Sequence, residues 1–378
     1  MKNDNLKLLV PPHYARAGKN KIAIIISPNY KDYAKKYLAE CVDSIRKQNC
    51  GGGIKIFIAD NESTEESYKY LKSIMPDMEI LRNKNNGGFA KGNNDCLKLA
   101  LEKGFDYIIL FNMDTVLGPD CVSKMVAAVA AGEKVGAAQA RLMLYSDKNK
   151  INSLGNVTHF LGFGYAEGYG ENYVRLPRRS DQSVGAPRND SNICYPSGAG
   201  VLFTREALEK AGLFDEEFWM YNEDQDLGWR LWLAGFKCVL APDAAVYHKY
   251  EFSRSIKKYY FMDRNRIIAM LKNYHWATLL LIAPAFLAME IGLLFFSLSN
   301  GWFKEKINVY KYFLKLKNWR HIMSERKKIQ SARVIRDKDI IKLFSGKIWY
   351  QEIGGGRLKI ANVIFGAYWL IIKVLIVW

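Results

Sequence analysis

Four short apolar runs separated by helix-like stretches constrain this chain more than any other feature. KIAIIIS (21–27), IKIFIAD (54–60), MEILRN (78–83) and FDYIILFN (105–112) are of strand length and rich in β-branched and aromatic residues. Between the first two, Tyr33, Tyr37, Leu38, Cys41 and Ile45 recur at helical spacing. Ser63-Thr64-Glu65-Glu66 then carries helix-capping chemistry, and GFAKGNNDCLKLALEKG opens a third helix. Strands that alternate with helices predict an α/β fold, a Rossmann-like and mostly parallel sheet with flanking helices. Ligands of such sheets bind at the carboxyl ends of the strands.

Those ends carry unusual residues: Ser27-Pro28-Asn29-Tyr30, Asp60-Asn61-Glu62-Ser63, Asn85-Asn86-Gly87-Gly88-Phe89 and Asn112-Met113-Asp114-Thr115. Each alone reads as an ordinary turn, whereas four polar turns at one sheet edge point to a shared cleft. No G-x-G-x-x-G follows the first strand and no G-K-[ST] loop occurs, which excludes a dinucleotide fingerprint and a P-loop. Asp114, beside Asn112, is placed to bind a hard divalent cation through oxygen. His248 closes FKCVLAPDAAVYHKY (236–250), which reads as two short strands, and is either a nitrogen ligand or a hydrogen-bonded core histidine.

The run Asn222–Leu231 crowds Glu223, Asp224 and Asp226 into the start of a helix whose Leu227, Leu231 and Ala234 share a face. Acidic residues open many helices as caps. The other reading is a general base, its pKa raised by Phe218, Trp219 and Tyr221, with Asp226 a structural partner within the helix. Trp219 and Tyr221 are also placed to stack on a sugar. YPSGAGVLFTREALEKAG (195–212) reads as a strand and a short helix. Residues 135–200 read as an irregular insertion over the cleft, with a loop near 176–192 and Arg175, Arg178, Arg179 and Arg188.

The formal charge of +17 is uneven, since residues 301–360 hold 16 Lys+Arg against 5 Asp+Glu, a net +11. Apolar runs at 276–299 and 361–378 flank this stretch. That context favours anionic lipid and excludes nucleic acid, which calls for exposed stacking aromatics without apolar flanks. Pro284 and Glu290 interrupt the first run, and Lys373 in the second is suited to snorkelling. Full crossing would place the basic stretch outside, against the positive-inside tendency. Both runs are therefore expected to enter from the cytoplasmic face as re-entrant or in-plane helices, a soluble core being the alternative. The division expected is an extension (1–20), a catalytic domain (21–270), soluble if the chain ended near 270, and a membrane-associated helical region (271–378). The N-terminus lacks an apolar signal-peptide run, and six cysteines without C-x-x-C spacing fit a reducing compartment with individually packed thiols.

Taken in order, NY (29–30), DNES (60–63), NNGGFAKGNN (85–94), FNMDT (111–115), SGAGVLF (197–203), FDEEFWMYNEDQDLGWRLWLAGF (214–236) and PDAAVYH (242–248) resemble family-2 glycosyltransferases of the GT-A fold. The similarity is greatest to the bacterial rhamnosyltransferase-like branch and covers residues 20–270. It implies an inverting transferase with a nucleotide-sugar donor, dTDP-rhamnose or a UDP-sugar, and a Mg²⁺ or Mn²⁺ ion. Asn29, Tyr30, Asp60 and Ser63 would meet the base and ribose, with Gly87, Gly88, Phe89, Asn93, Asn112 and Met113 along the nucleotide. Asp114 takes the place of the last Asp of D-x-D, with Asn112 in place of the first, and His248 that of the metal-associated histidine. Asp224 matches the base, with Glu223 second, while Gly198 and Ala199 fall at the acceptor wall. The Q-x-x-R-W of processive synthases is absent, so one sugar, or a few, is expected on a polyprenyl-diphosphate-linked saccharide. Arg254, Lys257, Lys258, Arg264 and Arg266 either contact that acceptor's diphosphate or lie on a surface helix.

Overall fold

A computed structural model describes residues 21–49, 53–173, 192–250, 256–348 and 356–378. The chain opens with β1 (Ile22–Lys31), α1 (Tyr33–Arg46), β2 (Ile54–Ser63), α2 (Glu65–Ile74), β3 (Glu79–Asn83), α3 (Gly88–Glu102) and β4 (Tyr107–Phe111). β1 pairs in parallel with β2 and β4, and β2 in parallel with β3, as the alternation predicted. Along β1, Ile22, Ile24 and Ile26 enter one core layer while Ala23 and Ile25 enter the other. This period of two buries both faces of the sheet under helices.

The second half is less regular. It runs β5 (Thr115–Leu117), α4 (Cys121–Ala130), β6 (Val135–Leu144), β7 (Ile151–Ser153), β8 (Asn156–Thr158), β9 (Gly164–Ala166), β10 (Gly200–Thr204), α5 (Arg205–Ala211), α6 (Glu223–Leu233) and β11 (Lys237–His248). The main sheet has nine strands in the order β3-β2-β1-β4-β10-β6-β11-β5, with β7 beside β6. Two expectations change here. Residues 135–144 belong to no insertion; they form β6, a central strand whose Ala137, Ala138 and Ala140 are fully buried. Residues 237–248 form one strand, because a register shift between Ala241 and Ala245 absorbs Pro242, whose missing N–H would otherwise break the ladder.

Beyond β11 come α7 (Lys257–Asn273), α8 (Trp276–Ser299), α9 (Phe303–Phe313), α10 (Leu316–Ala332), α11 (Asp337–Ile340) and α12 (Gly356–Leu375). α8 runs unbroken through Pro284 and Glu290, so neither interrupts it as the sequence suggested. Glu290 is buried, and its carboxylate accepts from Arg266 of α7 and Lys306 of α9. A shared cluster joins Phe160, Tyr195 and Trp229 to Tyr274, Ile282, Phe344 and Trp369. Residue 270, the expected boundary, lies inside α7, and Met270 and Tyr274 on either side of it belong to this cluster. α8 and residues 358–375 of α12 are each long and apolar enough to cross a membrane. Each turns apolar side chains outward, among them Leu280, Leu287 and Ile291 of α8 and Val363, Ile364 and Val374 of α12. The basic stretch is not all surface, for Lys306 is fully buried and Arg326 nearly so. Five cysteines, at 41, 96, 121, 194 and 238, are buried and unpaired as expected. Arg175, Arg178, Arg179, Arg188 and Arg254 lie outside the described residues.

Candidate active site

The strand ends meet as expected, though several side chains turn inward. Asn29, fully buried, donates to Asp60 Oδ1 (2.8 Å) and accepts from the Ala34 N–H (3.0 Å). Its polar atoms are engaged, so it positions Asp60 and does not itself reach a base. Asp60 Oδ2 is buried without a hydrogen-bond partner among the described residues. Tyr30 remains exposed, its ring stacked on Tyr33 at 5.4 Å. Ser63 is half-buried, its hydroxyl donating to the Thr64 carbonyl.

Gly87 caps α3, and Gly88 adopts φ +78° with its Cα against the Trp219 carbonyl and ring, where any side chain would collide. Asn93 donates to the Phe89 carbonyl (2.9 Å), leaving its buried Oδ1 unpaired. The half-buried Phe89 ring packs edge-on against Phe214 and beside Gly198, and the Met113 side chain is fully buried in the core. Met113 serves through its N–H, which donates to Ser27 Oγ (2.9 Å) and holds the Asn112–Asp114 turn.

That turn carries Asp114, whose Oδ2 accepts from the Tyr33 hydroxyl (2.9 Å) and whose Oδ1 stands 3.3 Å from His248 Nε2. Burial works to raise the Asp114 carboxyl, but His248 and the Tyr33 hydroxyl outweigh it and hold the group below its ordinary range. His248 Nδ1 is 2.9 Å from Asn152 Oδ1, an acceptor, so Nδ1 carries an N–H and Nε2 is the nitrogen turned to Asp114. Nε2 and the carboxylate oxygen face each other across a gap that a proton or a cation bridges. Asn112 Oδ1 and Asp114 Oδ1 are both buried without hydrogen-bond partners. Two oxygens and one nitrogen fit a hard divalent ion that draws its remaining ligands from a diphosphate. No group of three His, Cys, Asp or Glu suited to a metal occurs among the described residues.

On the other side of the cleft, the Asn112 N–H donates to the Ala199 carbonyl (3.2 Å), and the Gly198 N–H donates to Asp224 Oδ2 (3.3 Å). Ala199 is buried, so its part in an acceptor wall is confined to the backbone. Asp224 Oδ1 accepts the Gln225 N–H (2.8 Å), and Glu223 Oε2 is buried without a partner. Burial pushes Asp224 up to about 6 against these backbone donors. Burial and the adjacent Asp224 charge push Glu223 well above its ordinary range. Of the two neighbouring carboxyls, Asp224 is the one whose charge backbone N–H groups stabilise.

Trp219, Tyr221 and Asn222 all adopt left-handed φ values, +59°, +70° and +63°. Each costs roughly 1–3 kcal/mol in a non-glycine residue and persists only where surroundings enforce it. Asn265 of α7 enforces it here, its Nδ2 lying 2.7–2.9 Å from the carbonyls of Phe218, Met220 and Tyr221. Arg264 adds a donation to the Glu217 carbonyl (2.6 Å) and is almost fully buried. Arg264 is therefore a clamp on the loop before the base, not a contact for an acceptor diphosphate. Arg266 is likewise withdrawn, paired with Asp263 and Glu290. Trp219 stacks on Phe261 at 5.0 Å, which occupies one ring face, and Tyr221 is half-buried.

Residues 20–267 match the model of a family described as glycosyltransferase like family 2. The chain belongs to that family. Among curated family-2 relatives, the Mycobacterium tuberculosis N-acetylglucosaminyl-diphospho-decaprenol L-rhamnosyltransferase is 26% identical over 204 residues, 52% of this chain and 66% of that protein's length. The Escherichia coli K12 rhamnosyltransferase WbbL is 27% identical over 242 residues, 61% of this chain and 84% of that one. The solved S. aureus TarS 1-349 in complex with UDP aligns at TM-score 0.47 with 16% identity, covering 94% of this chain and 90% of that one.

Within this family-2 chain, three site residues escaped the sequence reading. Tyr33 was placed on the core face of α1, yet its hydroxyl holds Asp114; its spacing from Tyr30 and Tyr37 was the available signal. Asn61 donates to the Gly88 carbonyl (2.9 Å) and fixes the glycine turn. Asn265 carries no signal in sequence, because its role depends on α7 lying over a loop more than forty residues upstream.

Proposed function

We propose that this protein is an inverting glycosyltransferase that moves one sugar from a nucleoside-diphosphate donor to a lipid-linked saccharide at the cytoplasmic face of a membrane. The observation that carries this reading is the pairing of two unlike groups along one cleft: the Asp114–His248 acceptor pair and the buried Asp224 carboxylate, joined through Asn112, Ala199 and Gly198. Asp224, the carboxyl held by two backbone N–H groups, takes the proton of the acceptor hydroxyl, and Glu223, raised well above its ordinary range by burial and the Asp224 charge, stands beside it. The freed oxygen attacks the anomeric carbon opposite the diphosphate. The bond from that carbon to the diphosphate oxygen breaks, its electron pair leaves with the nucleotide, and the anomeric configuration inverts. Gly198 and Gln225 N–H groups hold the carboxylate in place.

A Mg²⁺ or Mn²⁺ ion held by Asp114 and His248, with Asn112 beside them, would neutralise charge on the departing diphosphate. The buried Asp60 Oδ2 is an acceptor suited to a base N–H of a dTDP or UDP donor. The names of the mycobacterial and E. coli relatives support rhamnose as the sugar and polyprenyl-diphosphate-GlcNAc as the acceptor. The outward apolar faces of α8 and α12 support association with a membrane and its anionic lipids. The test is transfer from dTDP-rhamnose and UDP-sugars to a short polyprenyl-diphosphate-GlcNAc, with and without EDTA, the anomeric configuration being read by NMR. Retention of configuration, or no transfer from any donor, overturns the proposal; full activity in chelator overturns the cation.

A further inference from the structure

Apart from the donor cleft, a cavity of about 430 Å³ opens between α7, α8, α12 and the β8–β9 hairpin. That is within the roughly 300–1,000 Å³ of small-molecule sites. Its lining is almost wholly apolar, including Phe163, Tyr259, Met262, Phe295, Trp302 and Phe365. Asn222, the residue before the helix that carries Glu223 and Asp224, is one of its lining residues. Phe295 of α8 also lines it and is 65% exposed, so the cavity reaches the outward apolar face of α8.

The charged residues in the wall do not ask for an ionic ligand. Arg266 donates to Asp263 and Glu290, and Lys306 donates to the same two carboxylates, so two cations and two anions cancel. The Arg266 guanidinium also lies over the Phe163 ring at 4.4 Å, which presents carbon to the cavity. A phosphate would find no unengaged charge there, whereas a hydrocarbon chain would find aromatic and aliphatic surface along its whole length. A chain that enters past Phe295 shares this lining with Asn222, the residue that precedes Glu223 and Asp224.

We infer that this cavity holds the part of the acceptor's polyprenyl chain nearest its diphosphate, threading the lipid between α7, α8 and α12 so that the attached saccharide is delivered to Asp224. The assignment rests on the lipid-linked acceptor proposed above. It differs from general membrane adhesion in placing isoprene units inside the protein.

Gly292 offers a clean test, because it lines the cavity and a Cβ built on it meets nothing within 4 Å. It sits within α8, where replacing glycine favours the helix. Gly292→Trp and, independently, Ala361→Leu on α12 should plug the cavity, while Leu287→Trp, on the outer face of α8, should not. Full-length protein in nanodiscs is irradiated with a polyprenyl-diphosphate-GlcNAc bearing a diazirine on its second isoprene unit, and labelled peptides are mapped. Labelling should fall on the lining segments of α7, α8 and α12, drop about tenfold in both plugged variants, persist in Leu287→Trp, and be displaced by unlabelled polyprenyl diphosphate but not by phosphatidylglycerol. Labelling confined to the outer face, unaffected by the plugs or displaced equally by phosphatidylglycerol overturns the assignment. The same preparations are assayed for transfer to acceptors with short and long tails. Transfer that is indifferent to tail length and to both plugs refutes the cavity and leaves the transferase standing. Cavity labelling without transfer to any acceptor refutes the transferase and leaves the cavity as a polyprenyl-diphosphate site.

Discussion

Asp224 and Asp226 stand two residues apart on α6, the first half-buried and the second fully buried, and their partners differ in kind. Asp226 is met by Arg230 Nε (2.9 Å), Lys272 Nζ (3.1 Å) and Asn273 Nδ2 (2.9 Å). Among the described residues, Asp224 is met only by backbone N–H groups, and Glu223 Oε2 by none. The same division runs through the molecule. Asp215 and Asp263, in the seam between the sheet domain and the C-terminal helices, are held below the ordinary carboxylate range: burial acts to raise them, but Lys272 in one case and Arg266 and Lys306 in the other outweigh it. Cations turn a buried carboxylate into architecture, and their absence leaves one able to exchange a proton.

Replacing Asp224 with Asn should break this contrast most severely. Turnover is expected to fall about 10²–10⁴-fold, the usual scale for loss of a general base, with donor binding by calorimetry unchanged. Unaltered turnover would remove Asp224 from the role. Asp226→Ala should act on the other side of the contrast, since it leaves Arg230 buried without a carboxylate and Lys272 with Asp215 alone, at a cost of about 3–5 kcal/mol. Thermal melting is the measure, and a variant that melts like the parent while losing activity would show that Asp226 belongs with the catalytic pair.

Tyr33→Phe removes a single hydroxyl from Asp114 and should raise the Mn²⁺ concentration for half-maximal activity by about 10–100-fold, the usual effect of losing a partner of a metal ligand. An unchanged metal requirement would reduce Tyr33 to a packing residue. The mildest expected effect is on pH. Asp224 works deprotonated with a pKa of about 6, so kcat/KM should fall by roughly tenfold per unit below that value and level off above it. Stability should not follow. The depressed Asp215 and Asp263 contribute fully above the ordinary carboxylate range and lose that contribution only as pH falls through their lowered folded values. The raised Glu223 and Asp224 bind protons more readily folded than unfolded, so acidification through their range favours folding. Between about pH 7 and pH 5, activity should therefore collapse while the melting temperature holds. Parallel loss of both would erase the distinction.

The first half of the sheet was legible because β1, β2 and β4 are runs of Ile and Phe bounded by polar turns. β6 was not, since VGAAQARLML lacks the branched side chains that announce a strand; small residues suit it because Phe236 and Ala207 crowd Gly136. The site followed the same rule. Asp114 stands beside His248, and Gly198 beside Asp224, residues that the family resemblance singled out. The inward turns of Asn29, Phe89 and Met113, and the withdrawal of Arg264, depend on packing partners that lie far away along the chain. A lone Arg on a helix reads alike in sequence whether it greets a phosphate or a carbonyl.

The quartet of Asp263, Arg266, Glu290 and Lys306 fastens α8 to α7, and α7 in turn grips the loop before Asp224 through Asn265. With α8 on the membrane as proposed, a rigid bracket of this kind would set the height of the reacting centre above the lipid surface, where a flexible tether would let it wander. We therefore expect the protein to act as a depth gauge that selects acceptors by how far their hydroxyl projects from the bilayer. One sugar inserted between diphosphate and acceptor hydroxyl should slow transfer sharply, and equal rates with both acceptors would show that the bracket yields.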